Sequence, residues 1–242
     1  MIAPGLIPCN ESYQSVAGHR LDAGFYDLLA SEARLGSFVA IAQGSLKQEH
    51  WFALGRMLTI AGGELALLSW GGTMFEYLMP QLIMPSYQSS LLDQTYRAIV
   101  RRQMEYGDHR KIPWGISESG YNIIDVNRIY QYRAFGVPGL GFKRGLIEDL
   151  VIAPYASALA LMVEPAEART NLQRMADEGY LGLYGFYEAI DYTPSRLSRD
   201  ETSATVQSFM AHHQGMSLLS LAYVLLEQPM QRRFMANPIF QA

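Results

Sequence analysis

Four glutamates stand where a carboxyl group could do chemistry: Glu32, Glu76, Glu118 and Glu188. Glu118 lies in IPWGISESGYN, residues 112–122, a run too rich in Gly, Ser and Pro for a helix and flanked by Trp114 and Tyr121. Glu188 lies in a second aromatic loop, LGLYGFYEAIDYTPSR, with Tyr184, Phe186, Tyr187, Asp191 and Tyr192. Acids held among apolar and aromatic groups have raised pKa values, because burial disfavours the charged form. Two such acids across a sugar-sized gap suit glycosidic-bond chemistry. One holds a proton near neutral pH, and the other attacks the anomeric carbon or activates water. All four glutamates meet that condition, and Glu76 has a second reading. It follows Thr73 by three residues, the spacing of a helix capping box.

Other chemistries find less support. His212 and His213 are adjacent, so on a helix they point about 100° apart and do not share one ion in the usual way. No HExxH is present, and His19, His50 and His109 occur in unrelated contexts. The single cysteine, Cys9, rules out an internal disulfide and a cysteine zinc site. No GxSxG elbow, P-loop or completed GxGxxG occurs; Gly139 and Gly141 read as loop formers. No metal or cofactor is implied.

At 242 residues, with 49% hydrophobic and 17% charged residues, the chain is expected to fold as one globular domain with a sizeable core. A formal net charge of -4 and the lack of any long basic cluster argue against a nucleic-acid surface. Aromatics at 12%, including 15 Tyr, suit a carbohydrate ligand and a tyrosine-rich core equally well. No apolar run reaches the roughly 18 residues of a membrane span, so the segment reads as soluble with no direct membrane contact.

The elements that would carry these acids read as helices joined by aromatic loops. Apolar residues at threes and fours predict a helix over 23–43, with Glu32 on or beside its apolar face between Leu28 and Leu35. A short helix opens at Thr73 and is stopped or kinked by Pro80. A long one runs over 90–107, ending at Gly107. A buried helix with an internal Pro154 is expected over 148–163, then one over 166–179 opened by Pro165. A possible strand over 205–210 precedes an apolar helix over 216–226. Without regular strand–helix alternation, the fold class is all-α, helical pairs around a centre.

The blocks FYDLLASEARLGSFVAIAQG, LLSWGGTMFEYLMPQLIM, PWGISESGYN, YQYRAFGVPGLGFKRGL, YGFYEAIDYTPSR and MAHHQGMSLLSLAYVLL, in that order, resemble the glycoamylase-like domain of cyclic β-1,2-glucan synthases. The similarity covers about residues 21–242; residues 1–20 match poorly. The resemblance implies an (α/α)6 toroid of which this chain is the C-terminal portion. Its implied activity is a retaining transglycosylase that closes linear β-1,2-glucan into a ring. Its implied setting is a large inner-membrane synthase, this region on the cytoplasmic side. The implied partners are the glucan and the rest of that polypeptide, meaning further N-terminal helices and a phosphorylase-like module. The resemblance favours Glu118 as nucleophile and Glu32 as general acid/base. It places Trp70, Glu76, Tyr77, Trp114, Tyr121, Asn122, Arg133, Glu188, Tyr192, His213 and Gln214 in glucan binding or in support of the catalytic pair. A glucan-binding module without chemistry, an inactive truncated fragment and an endo-β-1,2-glucanase are the alternatives.

Overall fold

The computed structural model describes residues 7–8 and 25–241; apart from Ile7–Pro8, the poorly matched segment 1–20 lies outside them, with Cys9 and His19. Strand β1 (Ile7–Pro8) pairs with β2 (Phe25–Tyr26). Helices α1 (Ala33–Ala42) and α2 (Glu49–Ala53) lead to the hairpin β3 (Leu58–Ala61) and β4 (Glu64–Leu67). The short α3 (Met74–Leu78) and the long α4 (Leu91–Arg110) follow, then the hairpin β5 (Ser119–Ile124) and β6 (Tyr130–Arg133). Next come β7 (Val151–Ile152), α5 (Pro154–Ala160), α6 (Pro165–Asp177) and the small hairpin β8 (Leu181–Gly182) and β9 (Gly185–Phe186). The chain continues through β10 (Ala189–Asp191), β11 (Ala204–Val206), α7 (Ala211–Leu225) and α8 (Pro229–Ala236). Helices make the body, as expected. The connecting loops are more ordered than the sequence suggests: three are two-stranded hairpins (β3–β4, β5–β6 and β8–β9), and β11–β10–β7 form a small antiparallel sheet.

Helix α5 is the centre of the core. All seven of its residues are buried, and it packs on α3, α6 and α7. Pro154 occupies its first turn, where the missing N–H costs nothing, instead of interrupting a longer helix. The preceding Val151 and Ile152 are drawn into the sheet with β10, so that helix is shorter than its apolar run. Helix α4 begins as expected, with Ser90 Oγ accepting from Asp93 N–H at 3.2 Å. It passes the expected stop at Gly107 and ends at Lys111, whose φ of 59° is left-handed. Gly107 serves a different purpose: a Cβ there would lie 2.9 Å from Trp114 Cβ, so glycine lets the loop over 112–118 lie on the helix.

Helix α1 starts ten residues later than the amphipathic pattern predicts. Leu29 N–H donates to Gly55 O and Gly55 N–H to Asp27 O, which ties 27–29 to the end of α2 in an extended bridge. Ser31 Oγ then accepts from Ala33 N–H, opening the helix. Glu32 therefore sits at the helix entrance and not along its face.

Arg34, one residue into α1 and 1% exposed, locks α1 to α3 and α4. Its guanidinium donates to Ser31 O at 2.9 Å, Glu76 O at 3.2 Å and Tyr77 O at 2.5 Å, and lies 3.0 Å from the Tyr96 hydroxyl. Arg34→Met strands those buried acceptors. It is expected to cost about 3–5 kcal/mol of unfolding free energy, read as a lowered denaturant midpoint.

A second lock joins 69–72 to 137–143. Ser69 N–H donates to Leu140 O, Val137 N–H to Gly72 O, Phe142 N–H to Ser69 O and Lys143 N–H to Trp70 O. The backbones meet glycine to glycine, Gly71 and Gly72 against Gly136 and Gly141.

Candidate active site

Glu118 immediately precedes β5, and its backbone is pinned from three helices. Gln103 of α4 exchanges two 2.8 Å hydrogen bonds with the main chain of Ile116. Phe75 N–H of α3 donates to Ser117 Oγ at 3.0 Å. The Tyr155 hydroxyl of α5 lies 2.8 Å from Ser117 Oγ and 3.0 Å from Glu118 O. A loop acid held this rigidly presents its carboxyl at a defined place.

That place is an open cleft of about 420 Å³ lined by Glu32, Trp70, Gly71, Glu76, Glu118, Ala134, Phe142 and Lys143. The lock between 69–72 and 137–143 brings Trp70 and Phe142 to one rim, ring centroids 5.7 Å apart. Trp70 is 40% exposed, a flat apolar face at the mouth of an acidic cleft.

The three carboxyls differ in how they are held. Glu76 is engaged throughout: its carboxylate accepts from Ser69 Oγ, Gly71 N–H and Thr73 N–H, and the capping box with Thr73 is complete. Its place as architecture follows from those bonds. Glu118 has one long contact, Oε2 to the Tyr132 hydroxyl at 3.5 Å. Glu32 Oε2 is buried with no hydrogen-bond partner. Burial pushes the Glu118 carboxyl up to about 7, with the charges of Glu32 and Glu76 adding; the Tyr132 contact and Lys143 oppose. Burial also raises Glu32, with its own backbone hydrogen bond lowering it and Glu76 raising it further. Of these acids Glu118 is the one placed to retain a proton into the neutral range. Lys143, its amino group 2.5 Å from Ala134 O, has a lowered pKa, chiefly from burial and then from Arg133.

Behind the cleft wall lie Glu188 and His213. Glu188 accepts from Gly120 N–H at 3.0 Å and pairs with His213 Nδ1 at 2.9 Å. The His213 ring stacks on Tyr155 at 3.7 Å, and its Nε2 is 3.3 Å from the Tyr132 hydroxyl. The other residues named from the sequence lie outside the cleft lining. Tyr77 is 1% exposed and its hydroxyl faces Leu67 O and Leu140 O. Trp114 is buried, its backbone bonded to Asn171. Asn122, Arg133 and Tyr121 belong to a brace. Asn122 N–H donates to Asp191, Arg133 pairs with Asp149 at 2.5 Å, and Arg196 lies over Tyr121 while bridging Asp149 and Asp191. Tyr192 donates to Tyr180 at 3.1 Å. Gln214 lines a separate cavity of about 210 Å³ between α5 and α7.

Tyr132, Phe142 and Lys143 are not among the residues expected from the sequence. The stretch YQYRAFGVPGLGFKRG is dominated by its glycines and proline; its two tyrosines and three basic residues beside an acidic loop are the available signal. Among the described residues, no group of three or more His, Cys, Asp or Glu could hold a metal ion, and no helix is long and apolar enough to cross a membrane.

The glycoamylase family model, described as "Putative glucoamylase", matches residues 24–238. The chain belongs to the glycoamylase family. This glycoamylase-family chain is 47% identical over 227 residues to a cyclic β-(1,2)-glucan synthase of Rhizobium meliloti; the match covers 94% of the chain and 8% of the relative. Its fold is also that of two solved glucanases. An endo-β-1,2-glucanase variant from Talaromyces funiculosus, in complex with β-1,2-glucan, superposes with a TM-score of 0.62 at 14% identity, covering 90% of this chain and 46% of that one. The endo-β-1,2-glucanase of Chitinophaga pinensis superposes at 0.55 with 20% identity, covering 77% and 44%. The glycoamylase-family chain thus spans less than half of each of these two structures.

Proposed function

We propose that the cleft is a glycosyl-transfer site for β-1,2-glucan, working by retention, in which Glu118 is the nucleophile and Glu32 the general acid/base. The observation that carries this reading is the cleft's carboxyl set: Glu32, Glu76 and Glu118 face one space, and Glu76 is fully occupied by capping bonds, leaving two acids free to react. Burial and the neighbouring acids raise Glu118 overall, and the Tyr132 hydroxyl and the Lys143 ammonium are the groups placed to stabilise its anion when it forms. Glu32 has an oxygen that nothing donates to, which favours a carboxylic acid. Trp70 and Phe142 supply faces for sugar rings at the rim, a role flat side chains fill by apolar contact. The family membership and the synthase relative support the substrate class and ring closure. They also support placing this region inside a longer polypeptide, as part of an (α/α)6 toroid.

In the forward step Glu118 attacks the anomeric carbon while Glu32 protonates the departing glycosidic oxygen. A second glucan hydroxyl, deprotonated by Glu32, then displaces Glu118 and restores the configuration. Incubating the purified chain with linear β-1,2-glucan is expected to give cyclic products. Shortened linear chains alone would mark an endo-β-1,2-glucanase, and binding without any product a glucan-binding module.

A further inference from the structure

The buried Glu188–His213 pair makes a connection to the cleft that packing alone does not require. Both side chains are at most 1% exposed. One Glu188 oxygen accepts from Gly120 N–H and the other faces His213 Nδ1, so Nδ1 carries a hydrogen. In the neutral ring Nε2 is then a bare acceptor. It points at the Tyr132 hydroxyl, 3.3 Å away, and that same oxygen is 3.5 Å from Glu118 Oε2. Tyr132 therefore stands between an acid of the cleft and a base behind it, with a single proton of its own.

We propose that Glu118 is ionised by passing its proton through the Tyr132 hydroxyl to Nε2 of His213, where the Glu188 carboxylate stabilises the imidazolium. The transfer balances without solvent. The Glu118 O–H bond breaks as a new bond forms to the Tyr132 oxygen, and the original Tyr132 proton moves to Nε2. Before the transfer Glu118 is a carboxylic acid donating to Tyr132, which donates to neutral His213. Afterwards imidazolium donates to Tyr132, which donates to the Glu118 carboxylate. Both contacts are long, and catalytic hydrogen bonds commonly tighten when substrate binds.

The surroundings fit this role. His213 faces Glu188 beside β10, Tyr132 on β6, Tyr155 on α5 and, on its own helix, His212 at 4.0 Å between ring centroids. Glu188 is the only carboxylate among these, and its contact is with the nitrogen opposite Tyr132. Tyr155 stacks within 13° of the imidazole plane and so fixes the direction of Nε2. Glu118 faces Glu32, Glu76 and Lys143 besides Tyr132. Removing its proton to a buried pair supplies the anion that a nucleophile needs in a site where burial and two neighbouring acids disfavour it. Tyr132, His213 and Glu188 are positioning residues; none of them lines the cleft.

The catalytic consequence rests on Glu118 being the reacting carboxyl; the proton coupling does not. Imidazole nitrogen-15 and carboxyl carbon-13 spectra of the intact chain are to be followed across pH 5–9, with glucan conversion measured in parallel. In the parent chain the His213 and Glu118 signals are expected to change together. In Tyr132→Phe they separate, and kcat on linear β-1,2-glucan falls about 10²-fold with KM little changed. Should Tyr132→Phe fail to fold, Glu188→Gln gives the second reading: with no carboxylate to stabilise the imidazolium, the His213 and Glu118 signals no longer change together. Identical His213 protonation in parent and variants overturns the relay, even if the parent converts glucan. Coupled signals in a chain that converts no glucan uphold the relay and remove the proposed function instead.

Discussion

Glu118→Gln is expected to remove glucan conversion by about 10³- to 10⁶-fold, the range seen when an essential acid, base or nucleophile is deleted, and at the same time to make the protein more stable above neutral pH. The two effects share one cause. The Glu118 carboxyl is raised from 4.5 to about 7, chiefly by burial. A group whose folded pKa lies above its unfolded value binds its proton more tightly when folded. Its favourable contribution is complete below pH 4.5 and is lost as pH rises through 7. Above that the parent chain keeps a charge in a place that disfavours it, at a cost of a few kcal/mol. Glutamine has nothing to ionise. Melting temperatures of parent and variant should therefore agree near pH 4 and diverge toward pH 8, the variant melting higher. A variant that is inactive but melts lower at pH 8 would mean that Glu118 is structural. Such opposition between activity and stability is what a strained reactive site produces.

Gly136→Ala is expected to be the most damaging glycine-to-alanine change among the described residues. A Cβ at 136 would lie 1.8 Å from Gly71 O and 2.8 Å from two further backbone atoms. No rotamer relieves a clash with main chain. The 69–72 segment would have to withdraw, taking with it the Gly71 and Thr73 amides that hold Glu76 and the contact of Trp70 with Phe142. The expected loss is about 4 kcal/mol or more, with the cleft broken in whatever folds. Gly215→Ala is the control. It lies inside α7 with nothing within 4 Å of the new methyl group, and it should gain about 0.5–1 kcal/mol from helix propensity. Parallel urea titrations decide the matter: equal midpoints for the two variants would refute the backbone clash.

The sequence was most informative where structure is decided within one turn of chain. The Thr73 and Glu76 capping box, the Ser90 cap and Pro165 at the head of α6 all depend on neighbours three or four residues away, and all stand where local rules put them. It misled where distant chain intervened. The pattern over 23–43 is helical along its length, yet Gly55 takes the backbone bonds of 27–29 and the helix begins only at Ala33. The apolar run before Pro154 was likewise lost to pairing with β10. The cleft divides in the same way. That Glu118 would lie on a loop between aromatic residues could be argued from composition; that the loop is rigid could not. That Lys143 and Phe142 would join it depended on the zipper between 69–72 and 137–143, which no local pattern announces. Tyr77 and Trp114 show the converse, aromatic residues suited by type to sugar contact but spent on the core.

The chain of contacts behind Glu118 has a consequence for how the site comes into being. Tyr132 meets His213 across 81 residues of sequence, and Gly120 meets Glu188 across 68. Every such contact closes a long loop before it returns any energy, so these are late events in folding. No excised peptide carrying Glu118 would hold its carboxyl in place, and no segment of this chain could be transplanted to confer the cleft on another scaffold. The site is a property of the closed chain: it should vanish in one step with global unfolding, and a folding intermediate that already has α4 and α5 should still have no cleft.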